Sequence, residues 1–159
     1  MRTSALGLAL VASVALAEEP STRLELQVPF EVTLVGLTWG VRPELLIRPG
    51  EAGTVSRVRV AVGVFAGKDQ VFLPLSVGYR AVFRQGRLVQ PAVGAGLELQ
   101  HRLVSDLAAV RQFGVYVEGG VGFSVTPRLS FGLMVSLDLM LVGGPGIGLG
   151  PRLFAGWRF

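Results

Sequence analysis

The chain contains no cysteine, and among its 159 residues there is one histidine, His101. The first absence excludes a disulfide framework, a thiolate metal site and a cysteine nucleophile. The second leaves too few imidazoles for a structural zinc site. No cofactor and no metal is therefore expected. Charged residues make up only 16% of the chain, and the net charge of +4 comes from scattered arginines. Scatter of this kind argues against a nucleic-acid surface, which needs a basic patch or stripe. Half of the residues are apolar, yet no apolar run suits a membrane helix. The richest region, Leu129 to Pro151, is interrupted by Asp138, Pro145 and glycines, and it alternates strictly, which is a strand pattern. Its segment Gly143 to Gly150 lacks the Gly-Lys-Ser/Thr ending of a phosphate loop, so it is a turn into the last strand. There is no internal repeat and no low-complexity tract.

What is present begins with an export signal. Arg2 gives a positive start, Ala5 to Leu16 is apolar, and Ala15-Leu16-Ala17 is a small-x-small cleavage site. Residues 1–17 are expected to be a secretory signal peptide, cleaved to leave a chain from Glu18. Residues 18–159 suit one domain.

That domain is expected to be all-β. Leu24, Leu26, Val28 and Phe30 hold even positions; Val35, Leu37, Trp39, Val41, Leu45 and Ile47 then hold odd ones. The phase flips back at Val58, Val60, Val62 and Val64, and again at Val71, Leu73, Leu75, Val77 and Tyr79. Segments over Leu88 to Leu103 and Gln112 to Thr126 follow, and then two closing segments from Leu129 and from Ile147 to Phe159. Turn residues such as Gly67-Lys68-Asp69, Gln85-Gly86 and Thr126-Pro127 separate them, which describes an antiparallel meander. The first break, near Glu31 to Thr33, has no Gly, Asn or Asp. A turn there yields eight strands and a bulge yields seven; the even number of strands in bacterial barrels favours eight.

The face opposite the apolar stripe decides the polarity. It carries glycines, among them Gly78, Gly94, Gly96, Gly120 and Gly132. Among them lie Arg57, Arg84 and the nine charges of the expected lumenal network, Arg42, Glu44, Arg59, Arg80, Glu98, Glu118, Asp138, Arg152 and Arg158. Small and charged residues together suit the interior of a narrow barrel, where glycine makes room and charges pair across the lumen. The apolar face then points outward, to lipid. Tyr79, Phe83, Phe123, Phe131 and Trp157 fall on that face near one end of their strands, as an interfacial aromatic girdle would. Phe113 falls at the opposite rim, and Trp39 fits less well.

These features resemble the small eight-stranded outer-membrane barrels, the family that includes OmpX and the OmpA membrane domain. The resemblance spans about the whole chain after the signal and rests on the alternation and the ending Leu153-x-Ala155-x-Trp157-x-Phe159. It implies an antiparallel up-and-down transmembrane barrel. It also implies that Phe159 serves as a signal for the outer-membrane assembly machinery. Family members usually have long outer loops, whereas here the longest runs from about His101 to Arg111, and the inner connection Pro49 to Ser56 is long. Pro43, Pro74, Pro91 and Pro151 fall inside expected strands, so they mark either bulges or misplaced boundaries.

The expected function is that of an integral bacterial outer-membrane protein with a side-chain-filled, charged lumen. Its role is structural or surface-interacting, without catalysis. Membrane lipid and the assembly machinery are its expected partners, nucleic acid is not one, and the chain is expected to be a monomer. A narrow pore is the alternative. Small barrels that deacylate lipid A suggest a hydrolase with His101 and Ser105, but their short His-x-Ser pattern is not matched here. A soluble lipid-binding barrel would require the opposite polarity.

Overall fold

A computed structural model of the chain describes residues 24–33, 38–49, 56–68, 70–85, 87–104, 109–144 and 146–159. The expected signal segment lies outside these residues. The strands in chain order are β1 (Leu24–Thr33), β2 (Thr38–Val41), β3 (Glu44–Ile47), β4 (Ser56–Val62), β5 (Val64–Ala66), β6 (Gln70–Val82), β7 (Val89–Val104), β8 (Val110–Ser124), β9 (Leu129–Val142) and β10 (Gly146–Arg158). They make eight staves, because β2 and β3 form one stave interrupted at Arg42 and Pro43, and β4 and β5 form another interrupted at Gly63. Each stave pairs antiparallel with its neighbours in sequence. β1 pairs with β10 from Glu25↔Arg158 to Glu31↔Arg152, and this ladder closes the barrel. Closure leaves no open sheet edge, the condition for β-structure to survive in hydrocarbon.

The two interruptions account for two of the four prolines named above. Pro43 lies in the first, and Pro74 of β6 faces the second, where Gly63 N donates to Pro74 O at 2.9 Å. Arg42 N still donates to Pro29 O, and Val62 N to Pro43 O, both at 3.2 Å. The ladder is thus bent without being lost. Pro91 and Pro151 sit in the unbroken strands β7 and β10.

Two expected boundaries move. β1 continues through Thr33, which pairs with Thr38, so the first turn falls at 34–37, outside the described residues, and not at Glu31 to Thr33. The β-branched Val32 and Thr33 favour extension of the ladder. The segment from His101 to Arg111 is mostly strand as well. His101 pairs with Arg111 and Arg102 with Val110, which leaves only 105–109 to connect β7 with β8. Ser105 lies outside the described residues.

The faces separate by parity. Val28, Val77, Val93, Leu97, Val117, Leu133 and Leu153 are exposed on the outside. Among the described residues, ten buried side chains are apolar and nineteen are polar or charged. The interior is therefore the polar side, the reverse of a water-soluble barrel. Four of the buried apolar side chains, Val82, Ala92, Met134 and Phe154, form a small cluster within it.

The turn from β9 to β10 depends on glycine. Gly143 and Gly144 have φ of 83° and 110°, and a Cβ on Gly143 would run into the carbonyl oxygen of Arg111. Gly143→Val is expected to destabilise the barrel by at least ~1–2 kcal/mol, the cost of a left-handed L-residue. A lowered midpoint in heat-dependent gel mobility would register it.

Candidate functional site

The lumen holds three groups of charges, each built by the inward parity of several staves. The central group has two carboxylates and three guanidiniums. Glu44 of β3 accepts Arg59 Nε at 2.9 Å, Arg59 Nη2 at 3.1 Å, Arg80 Nη2 at 2.6 Å and Arg152 Nη1 at 3.0 Å. Glu118 of β8 accepts Arg80 Nε at 2.6 Å and lies 3.1 Å from Arg152 Nη1. Arg59 also donates to Ser76 Oγ at 2.9 Å, and Arg80 to Gln27 Oε1 at 2.7 Å. The group thus ties together β1, β3, β4, β6, β8 and β10. All five charged residues are at most 5% exposed.

Towards the end away from the chain termini, Arg42 Nη1 donates to Glu98 Oε2 at 2.7 Å, and Gln100 donates to the other oxygen. The Arg42 guanidinium lies 5.2 Å from the centre of the Phe65 ring, which stacks on Phe72. At the terminal end, Glu25 binds Arg57 and accepts Arg158 Nε at 3.1 Å, Gln27 at 2.8 Å and Ser130 Oγ at 2.9 Å. Arg158 also donates to Gln90 at 3.0 Å. The cavity beside this group measures about 20 Å³, room for about one water. Asp138 is buried on β9 opposite Gly148 of β10, whose missing side chain leaves it space.

Glycine and aromatic residues fill the remaining lumen together. Tyr116 lies over the paired Gly78 and Gly96; a Cβ on Gly96 would stand 2.7 Å from Tyr116 Cε1. The Arg59 guanidinium rests 4.8 Å from the Tyr116 ring centre, a cation–π contact. Phe154 covers Gly132 in the same way, and Phe65 covers Gly40.

The nine charges expected in the lumen divide among these places. Arg59, Arg80, Arg152, Glu44 and Glu118 meet at the centre, Arg42 and Glu98 pair beyond it, Arg158 belongs to the terminal group, and Asp138 is buried on β9. Sequence reasoning left out Glu25, and it placed Arg57 and Arg84 on the charged face without joining them to the network; Arg57 joins it through Glu25, whereas Arg84 is exposed on the connection after β6. It also left out Tyr116, Phe65, Phe72 and Phe154, whose inward parity was the available signal. Tyr79, Phe83, Phe123, Phe131, Trp157 and Phe159 are exposed at or near the terminal ends of their staves. Trp39 is exposed nearer the other end, its ring 6.5 Å from Phe30. His101 is half-buried on the outward parity of β7. Among the described residues no cluster of His, Cys, Asp and Glu could hold a metal.

No family model and no curated protein sequence matches the chain. Solved structures do match in fold. The N-terminal β-barrel domain of Pseudomonas aeruginosa OprF superposes with a TM-score of 0.69 at 14% identity, covering 86% of this chain and 96% of that one. Neisserial surface protein A gives 0.59 at 20% identity, covering 85% and 92%. A de novo designed transmembrane β-barrel gives 0.57 at 15% identity, covering 89% and 98%. The chain thus has the closed eight-stranded antiparallel fold of transmembrane barrels.

Removing one member of a buried ion pair strands the other, at a cost of about 3–5 kcal/mol. Glu118→Ala is accordingly expected to lower the unfolding midpoint strongly. Lys68→Ala, at an exposed position, is expected to leave it within ~0.5 kcal/mol. Urea unfolding of both variants, followed by tryptophan fluorescence in micelles, provides the comparison.

Proposed function

We propose that this chain is a non-catalytic integral protein of a bacterial outer membrane, a monomeric barrel whose lumen is sealed by its own side chains. Its role is structural or surface-interacting. The observation that carries this reading is the cross-lumen group of Glu44, Glu118, Arg59, Arg80 and Arg152, which occupies the axis where a pore would run. An eight-stranded barrel is only wide enough for side chains to fill it.

The outer surface supports a membrane location. The valine and leucine belt is exposed on every stave, and an unbroken patch of that size is unfavourable in water. A strand of the length of β6, 13 residues, rises about 3.3 Å per residue and at a tilt of about 40° spans roughly 33 Å. The lipid-facing band of such barrels needs about 25 Å. The aromatic set from Tyr79 to Trp157 then lies at one interface. Phe159, exposed just past β10, is the residue we assign to recognition by the assembly machinery.

In planar bilayers the folded chain is expected to give no steady conductance. In membrane fractionation it is expected in the outer membrane, with gel mobility that changes on heating. Regular single-channel openings would replace the sealed barrel with a narrow pore. Release from cells without detergent would refute the membrane assignment altogether.

A further inference from the structure

The connection from β6 to β7 carries Arg84 and Arg87 and no acidic residue. Both arginines are exposed. The guanidiniums of the central lumenal group are all ion-paired, whereas among the described residues no ion pair engages Arg84 or Arg87. The turn that presents them is closed by Arg87 N donating to Arg84 O at 3.1 Å. The side-chain amide between them is already engaged: Gln85 accepts Arg48 Nη2 at 2.7 Å and donates to Val82 O at 3.2 Å.

Beside the two arginines lies an open concavity of about 600 Å³, whose remaining lining is Gln85, Leu88 and Val89. Leu88 and Val89 are exposed at 43% and 41%; Val89 continues the outward apolar face, and Leu88, on the inward parity, is exposed at the rim. Ser124 N donates to Leu88 O at 3.0 Å, which brings the next connection and its exposed Arg128 alongside. The place therefore offers guanidiniums without an ion-pair partner among the described residues, beside exposed aliphatic side chains at the edge of the apolar belt. Guanidinium forks match phosphate oxygens in geometry and charge, and the aliphatic side chains match an acyl chain. A free inorganic anion would use the first feature and leave the second bare.

We propose that Arg84 and Arg87, beside Leu88 and Val89, form a headgroup site for an anionic phospholipid in the leaflet at the terminal end of the barrel. The inference rests on the membrane reading above. Basic groups at a membrane surface each favour anionic lipid by a factor of roughly five.

The test uses the full chain folded in vesicles of phosphatidylcholine, alone or with phosphatidylglycerol, followed by extraction and counting of retained lipid by native mass spectrometry. The wild-type chain is expected to retain phosphatidylglycerol over phosphatidylcholine, with a preference that falls as salt is added. Arg84→Gln and Arg87→Gln are each expected to cut that preference by roughly fivefold, and Lys68→Gln, on the connection at the opposite end, to leave it unchanged. Equal retention of both lipids by the wild type, or full preference in the double variant, would overturn the site. Displacement of the lipid by millimolar inorganic phosphate would overturn its assignment to a lipid. Heat-modifiable folding in pure phosphatidylcholine reports separately on the membrane reading, so the two failures are distinguishable.

Discussion

Glu44 and Glu118 must between them satisfy Arg59, Arg80 and Arg152 inside a closed wall, and the rest of the barrel is arranged around that requirement. The five groups come from five staves. They meet only if every register between those staves is correct. A slip of one residue in any ladder would turn a guanidinium out into the lipid-facing belt and a valine in. A buried ion pair is weak as a source of net stability, because desolvation consumes most of the attraction. Its effect here is on sidedness. An apolar filling would give each strand two similar faces, and nothing would then decide which one meets hydrocarbon.

The space for these charges is made by glycine and shaped by aromatic rings. Gly78 and Gly96 are paired across β6 and β7, and the ring of Tyr116 from β8 lies over both. Arg59 then lies over that ring. The same order of backbone, ring and cation recurs where Phe65 covers Gly40 and Arg42 approaches Phe65. Glycine weakens a strand through its backbone entropy, but a ring packed on the bare backbone restores contact area. The glycine content and the inward aromatics are therefore two halves of one packing device.

Parity was legible in the sequence because it is a local property: side chains alternate whatever the neighbouring strand does. It assigned Arg59, Arg80, Glu98 and Arg152 to one face without reference to any partner. Which charge meets which was not legible, since Glu44 and Arg152 are far apart in sequence and meet across the lumen through shear and tilt. Tyr116, Phe65 and Phe154 were overlooked for a different reason. An aromatic on the polar parity looks like an exception in one strand, and it makes sense only beside the glycines of the next. The first turn was misplaced because the even-position apolar run was ended at Phe30, although Val32 continues it and the backbone ladder runs on to Thr33↔Thr38.

A filled lumen and short connections shift attention to the rims. β5 and β6 are joined through 67–69 and β9 and β10 through 143–145, too few residues to build a binding surface above the bilayer. The belt between the rims is uniform and apolar. Chemical difference is therefore confined to the ends of the staves, where aromatic rings, exposed arginines and turns come together. At the terminal end the exposed set from Tyr79 to Trp157 lies next to connections carrying Arg84, Arg87 and Arg128. Rings of this kind prefer the headgroup depth and arginines prefer its phosphates, so the two favour the same vertical position of the barrel. The central lumenal arginines are instead buried and paired with carboxylates inside the wall. These arginines thus fall into two sets, one buried and paired across the lumen and one exposed on the connections at the terminal rim.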